Sequence, residues 1–178
     1  MEKSALIDSD VNYDWNFLNY PIHTVSAKPE KTSKECAILL IHGFGASTDH
    51  WRFNIPILSS KYEVHAMDLL GFGKSPKPQD VEYSGSLWKD QVVAYVQEKI
   101  KKPTIVVGNS LGGYAALAAG AELNDLNAGV ILLNAAGYFS EEKTIKKNML
   151  QTSIETVAGI FLKNIVLQRL IFENMRNP

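Results

Sequence analysis

The chain has 178 residues, of which 46% are hydrophobic and 21% charged, with a formal net charge of −1 and a pI of about 6.4. That balance fits one globular domain or part of a larger one, and the lack of a basic excess or a long like-charge run excludes an electrostatic nucleic-acid binder. Cys36 is the sole cysteine, which excludes an intrachain disulfide and metal sites built on several cysteines.

A reducing compartment follows most simply from that cysteine usage, so the chain is expected in the cytoplasm. Residues 1–14 are polar, lack the apolar core of a signal peptide and are expected to form a flexible N-terminus. No stretch reaches the roughly 18 uncharged apolar residues of a membrane-spanning helix, and no transmembrane segment is predicted. Asp14 to Ala27 carries Trp15, Phe17, Tyr20, Ile22 and Val25 in partial alternation, which predicts two short strands or a hairpin. Lys28 to Glu35 reads as a charged loop. Cys36 to Ile41 is a continuous apolar run, as in a strand buried on both faces, and it ends at His42-Gly43-Phe44-Gly45-Ala46-Ser47. Thr48 is placed to cap a short helix through Trp51, which Pro56 interrupts or restarts.

Tyr62 to Asp68 predicts the next strand, and Leu69 to Gly85 a long loop rich in glycine and proline. Ser86 to Ile100 reads as an amphipathic helix with Trp88, Val92, Tyr95, Val96 and Ile100 on one face. Pro103 to Val107 is a β-branched strand, Leu111 to Leu123 an alanine-rich helix, and Ala128 to Asn134 another apolar strand. Strands and helices alternate from Cys36 to Asn134, which predicts an α/β protein with a doubly wound, mostly parallel sheet. Glu141 to Pro178 carries no strand signal, and its apolar residues, Ile145, Met149, Ile154, Val157, Phe161, Ile165 and Leu170 among them, come at helical spacing. The expected organisation is a flexible segment 1–14, a core 15–137 and the start of a helical cap 138–178.

The chemistry concentrates at Gly108-Asn109-Ser110-Leu111-Gly112, where a strand turns sharply into a helix. This is the setting of a G-x-S-x-G nucleophile elbow. A serine on such a turn stands above the sheet with its hydroxyl exposed, and the flanking positions, Gly108 and Gly112, must carry little side chain. Acyl transfer also needs an oxyanion hole. The backbone N–H of Leu111 and that of Phe44 are the expected donors, with Gly43 and Gly45 letting the earlier loop come close and His42 supporting it.

Two stretches imitate phosphate-binding motifs. Gly43-Phe44-Gly45-Ala46-Ser47-Thr48 has Thr48 where a dinucleotide fingerprint wants glycine or alanine. Gly73-Lys74-Ser75 resembles the end of a P-loop, but Asp68 occupies the required glycine position and Pro76 and Pro78 disfavour the following helix. Neither is read as a nucleotide site, and no cofactor or metal is expected.

In order and spacing, His42-Gly43-Phe44-Gly45, Asp68-Leu69-Leu70-Gly71-Phe72-Gly73-Lys74-Ser75 and Gly108-Asn109-Ser110-Leu111-Gly112-Gly113 resemble three successive signatures of the α/β-hydrolase superfamily. The resemblance runs from about Tyr20 to Gly137. Leu87-Trp88-Lys89-Asp90-Gln91 and Leu132-Leu133-Asn134-Ala135 are further similar to the pheophytinase-like branch of plants and cyanobacteria, which implies a lipophilic ester as substrate and a cyanobacterial or plastid setting. Serine at position 110 argues against a haloalkane dehalogenase, which uses aspartate there. The resemblance also implies a triad acid and histidine after Ser110, yet the four histidines, His23, His42, His50 and His65, all precede it. The expectation is therefore a serine ester hydrolase whose acid and histidine this sequence does not include, truncated within the cap and inactive in its 178-residue form. The alternatives are a non-catalytic binding protein on the same scaffold, or a C–C bond hydrolase or perhydrolase of the same fold.

Overall fold

In the computed structural model, which describes residues 13–29 and 36–136, the chain opens with a hairpin of β1 (Asn16–Phe17) and β2 (Tyr20–Pro21). Its turn residues, Leu18 and Asn19, both have positive φ, as the twist of a two-residue hairpin demands. Then β3 (Thr24–Ala27), β4 (Ala37–Ile41), β5 (Glu63–Met67), β6 (Thr104–Asn109) and β7 (Asn127–Leu133) form a sheet in the order β3-β5-β4-β6-β7. The last four strands run parallel, and β3 is antiparallel to β5. The sheet is thus mostly parallel, as predicted. The segment from Asp14 to Ala27 holds three strands rather than two, because β3 takes its partner from β5, far along the chain.

The helices are α1 (Asn54–Ser59), α2 (Gly85–Tyr95, which continues as a π turn over Val96–Ile100) and α3 (Leu111–Glu122). Pro56 falls in the first turn of α1, where its missing N–H costs nothing. A 3₁₀ turn spans Thr48–Trp51, and its cap is Ser47, not Thr48: the Ser47 Oγ accepts from Asp49 N–H at 3.3 Å. Thr48 is instead buried, its own N–H engaged by Asp68.

Alternation along the strands divides the core. Leu39, Ile41, Met67 and Val106 pack under α2 and α3 with Trp88, Val92, Tyr95 and Ala115. Ile38, Leu40, Val64, Ala66 and Val107 pack on the other face with Trp51 and Ile55. Helix α3 is lined with small buried residues: Gly112, Gly113, Ala115, Ala116, Ala119 and Gly120. Each glycine costs about 1 kcal/mol of helix propensity relative to alanine. The return is close approach, since a Cβ at Gly120 would run into the Val130 side chain.

Strand β7 departs from the other parallel strands in burial. Its outer edge has no partner among the described residues, and Ile131, Leu132 and Leu133 are 48%, 43% and 40% exposed. The expected flexible segment, apart from Tyr13 and Asp14, and the expected cap lie outside the described residues.

Candidate active site

Ser110 sits between β6 and α3 with φ 51° and ψ −114°. A non-glycine residue in such a conformation costs about 1–3 kcal/mol and persists only where its surroundings fix it. Four backbone bonds do so here. Ser110 N–H donates to the Leu133 carbonyl at 3.1 Å, and the Ser110 carbonyl accepts from Gly113 N–H and Ala136 N–H, both at 2.9 Å, and from Tyr114 N–H at 3.3 Å. The Asn109 side-chain amide adds a bond to the same Leu133 oxygen at 3.3 Å. The flanking glycines are tightly enclosed. A Cβ at Gly108 would fall on the backbone of Gly112 and Gly113, and one at Gly112 on the carbonyl oxygens of Ile41 and His42.

The loop after β4 lies directly over the serine. An ideal Cβ on Gly43 would stand 3.2 Å from the Ser110 Cβ and 2.9 Å from Asn109 Oδ1. Phe44 follows, and Gly45 turns the chain at φ 69°, a conformation open to glycine. Fold and loop thus bring Ser110, Leu111, Gly43 and Phe44 together at the C-terminal ends of β4 and β6. Helix α3 begins at Leu111; the Ser110 carbonyl takes the N–H groups of Gly113 and Tyr114, and the first turn forms the helix's positive end.

All four histidines are placed, and each ring is engaged elsewhere. His42 is fully buried; Leu69 N–H donates to its Nε2 at 3.1 Å, which leaves the proton on Nδ1, and that N–H donates to the Gly43 carbonyl at 2.7 Å. Burial holds its pKa below the ordinary histidine range, against the opposing pull of the Gly43 carbonyl and Asp68. His42 is therefore a neutral brace between this loop and Leu69. His65 is bound between the Tyr95 hydroxyl at 3.2 Å and Glu63 at 3.0 Å. His50 is exposed and packs its ring against Trp51, 5.2 Å between centroids. His23 Nδ1 donates to Asp68 Oδ2 at 2.9 Å.

Asp68 is the residue whose role sequence reading missed. Its carboxylate is fully buried and accepts from Thr48 N–H at 2.6 Å, Lys74 N–H at 2.7 Å and His23. Its carbonyl accepts from Ser75 Oγ at 2.8 Å and from the Gln91 amide at 3.2 Å. One buried charge thus ties together the loop over Ser110, the loop after β5 and the chain entering β3. The signal was its place before Leu69-Leu70-Gly71-Phe72-Gly73. A Cβ on Gly73 would collide with the carboxylate, so the glycine spacing leaves room for it. Among the described residues, no cluster of three or more acidic, histidine or cysteine side chains is arranged to hold a metal.

Residues 37–175 match a family model described as alpha/beta hydrolase fold. The 2-hydroxy-6-oxo-6-(2'-aminophenyl)hexa-2,4-dienoic acid hydrolase of Metapseudomonas resinovorans is 38% identical over 112 residues, covering 58% of this chain and 37% of its own. The chloroplastic pheophytinase of Arabidopsis thaliana is 32% identical over 133 residues, covering 58% of this chain and 28% of its own. A solved membrane phospholipase A, described as a bacterial virulence factor, superposes with a TM-score of 0.62 at 30% identity, over 80% of this chain and 42% of its own. The chain spans 28% to 37% of the length of these two curated relatives.

Proposed function

The chain belongs to the alpha/beta hydrolase fold family, and from that premise we propose that it is a serine hydrolase acting on a lipophilic carboxylic ester, with Ser110 as the nucleophile. The observation that carries this reading is the Ser110 backbone, held at φ 51° by bonds to Leu133, Gly113, Tyr114 and Ala136 and overlain by Gly43. Strain retained by such braces is what a serine presented for attack requires. Its Oγ adds to the ester carbonyl carbon, and the electron pair of the C=O moves to the oxygen. The N–H groups of Phe44 and Leu111, with the positive end of α3, receive that negative charge. A pheophytinase and a phospholipase among the similar proteins support a lipophilic ester.

The Oγ proton needs a base, and none of the four histidine rings is engaged with Ser110. The 178-residue chain is therefore expected to retain only oxyanion stabilisation and binding, worth about a thousandfold over water. Imidazole supplied from solution replaces the missing base. With p-nitrophenyl decanoate, imidazole takes the Oγ proton, the C=O re-forms and p-nitrophenolate leaves as its C–O bond breaks, so mass spectrometry should find a decanoyl group on Ser110 of the parent and none on Ser110→Ala. Acylation that is indifferent to the Ser110→Ala change, or absent from both proteins, would reject the reading; absence would favour a binding protein instead.

A second reading is favoured by the dienoic acid hydrolase relative: the same serine serving C–C bond cleavage. The two separate on substrate. A C–C hydrolase should bind a 2-hydroxy-6-oxo-dienoate in preference to a long-chain ester, and the proposed enzyme should show the reverse order.

A further inference from the structure

Beside the loop over Ser110 lies a cleft of about 480 Å³, within the size range of small-molecule sites. Phe44, Phe72, Val81, Tyr83 and Trp88 line it, together with Lys77 and Gln79. The rings meet one another: Phe44 on Phe72 at 5.3 Å and 72°, Phe72 on Trp88 at 5.7 Å, Tyr83 on Trp88 at 6.5 Å. The polar tips of this wall are bound to the protein. The Trp88 indole N–H donates to the Leu70 carbonyl at 3.0 Å, the Tyr83 hydroxyl to the Pro78 carbonyl at 2.8 Å, and the Lys77 ammonium to the carbonyls of Gly73 and Ser75. What the rings present to the cleft is hydrocarbon. Phe44 is 56% and Tyr83 40% exposed.

Phe44 directly follows Gly43, the residue that overlies Ser110. We propose that this cleft seats the hydrocarbon arm of the ester substrate, and that the Phe44 side chain is a specificity-determining wall between that arm and the reacting carbonyl. The inference rests on the ester-hydrolase reading and names where its substrate's apolar part goes. Rings whose polar tips are already bound gain from an apolar chain or ring laid against them, and offer a polar one no new bond in return for its hydration.

The test reads binding, not turnover. Decanol is titrated into the 178-residue chain while the three tryptophan indole N–H resonances are followed by NMR. The Trp88 resonance should shift saturably, and that of Trp15, bound to Glu98 at 2.7 Å, should stay in place. Val81→Trp, which fills the cleft, and Phe44→Ala, which removes an exposed wall, should each weaken binding about tenfold. A Trp88 signal unmoved to the solubility limit of decanol, or both variants binding as the parent does, overturns the proposal. Ser110→Ala must bind decanol like the parent. Binding without acylation of Ser110 would overturn the hydrolase reading alone, and acylation without a response at Trp88 would overturn the cleft alone.

Discussion

His42 takes part in the candidate site through its neighbours rather than through a proton of its own. Replacing it by phenylalanine keeps a ring of similar width but leaves Leu69 N–H and the Gly43 carbonyl without their partner, each a buried loss. His42→Phe is expected to cost about 2–4 kcal/mol in urea unfolding, and a loss below about 1 kcal/mol would show that water or another group takes the ring's place. Burial also holds His65 below the ordinary histidine range, opposed by its bond to Glu63 and assisted by Lys102. For both rings the folded chain refuses protons that the unfolded chain accepts below about pH 6.5. Their contribution to stability is therefore full above that value and is lost as the pH falls from it toward the depressed folded values. The urea midpoint should drop between about pH 7.5 and about pH 5.5, and His65→Gln should shrink the drop. Glu63 acts in the same direction in a lower window. Its burial works against ionisation, but hydrogen bonds from Lys102 and His65 outweigh that and bring its pKa below 4.5. The turn at Ser110 was legible in the sequence because the glycines it needs, Gly108 and Gly112, are its near neighbours in the chain, whereas its straps from Leu133 and Ala136 were not. Asp68 was not, because Thr48, Lys74 and His23 reach it only after the chain has folded.

At the level of elements, the crossing of β6 and α3 leaves no room for side chains, and two glycines separate the possible reasons for being glycine. Gly45 needs its conformation and has open space where a methyl group would stand, whereas Gly108 needs the space itself. Gly45→Ala should cost about 1 kcal/mol, and Gly108→Ala about 3 kcal/mol or more because backbone, not a side-chain tip, stands in the way. Equal costs in thermal unfolding would mean that the crossing has slack. The elements β4, β5, α2, β6 and α3 were readable because each runs five residues or more with one character: apolar or β-branched in the strands, amphipathic in α2, alanine-rich in α3. The hairpin and β3 were blurred into two strands because runs of two to four residues carry hardly one period, and their pairing is decided by partners elsewhere. The cap of the 3₁₀ turn fell one residue earlier than expected, since Thr48 is drawn inward by Asp68.

Over the whole described fold, apolar surface is unevenly spread, with Ile131, Leu132 and Leu133 consecutive and open on a strand that has one partner among the described residues. Such an edge tends to pair with other chains. Sedimentation velocity of the 178-residue chain should show self-association that Ile131→Lys reduces; a parent that stays monomeric at high concentration would mean this strand is covered. The same strand's end carries the carbonyl that receives Ser110 N–H, and Ala136 beyond it closes the second strap on the serine. This arrangement has a consequence in time. A chain made from its N-terminus places Ser110 in the growing polypeptide well before Leu133 and Ala136 exist. Until they have been synthesised and docked, the serine has no reason to hold its strained backbone and relaxes into an ordinary turn. On the proposed reading, presentation of Ser110 is thus a late event in biosynthesis, and a nascent chain that ends short of residue 136 carries the whole G-x-S-x-G motif without the two straps that Leu133 and Ala136 supply.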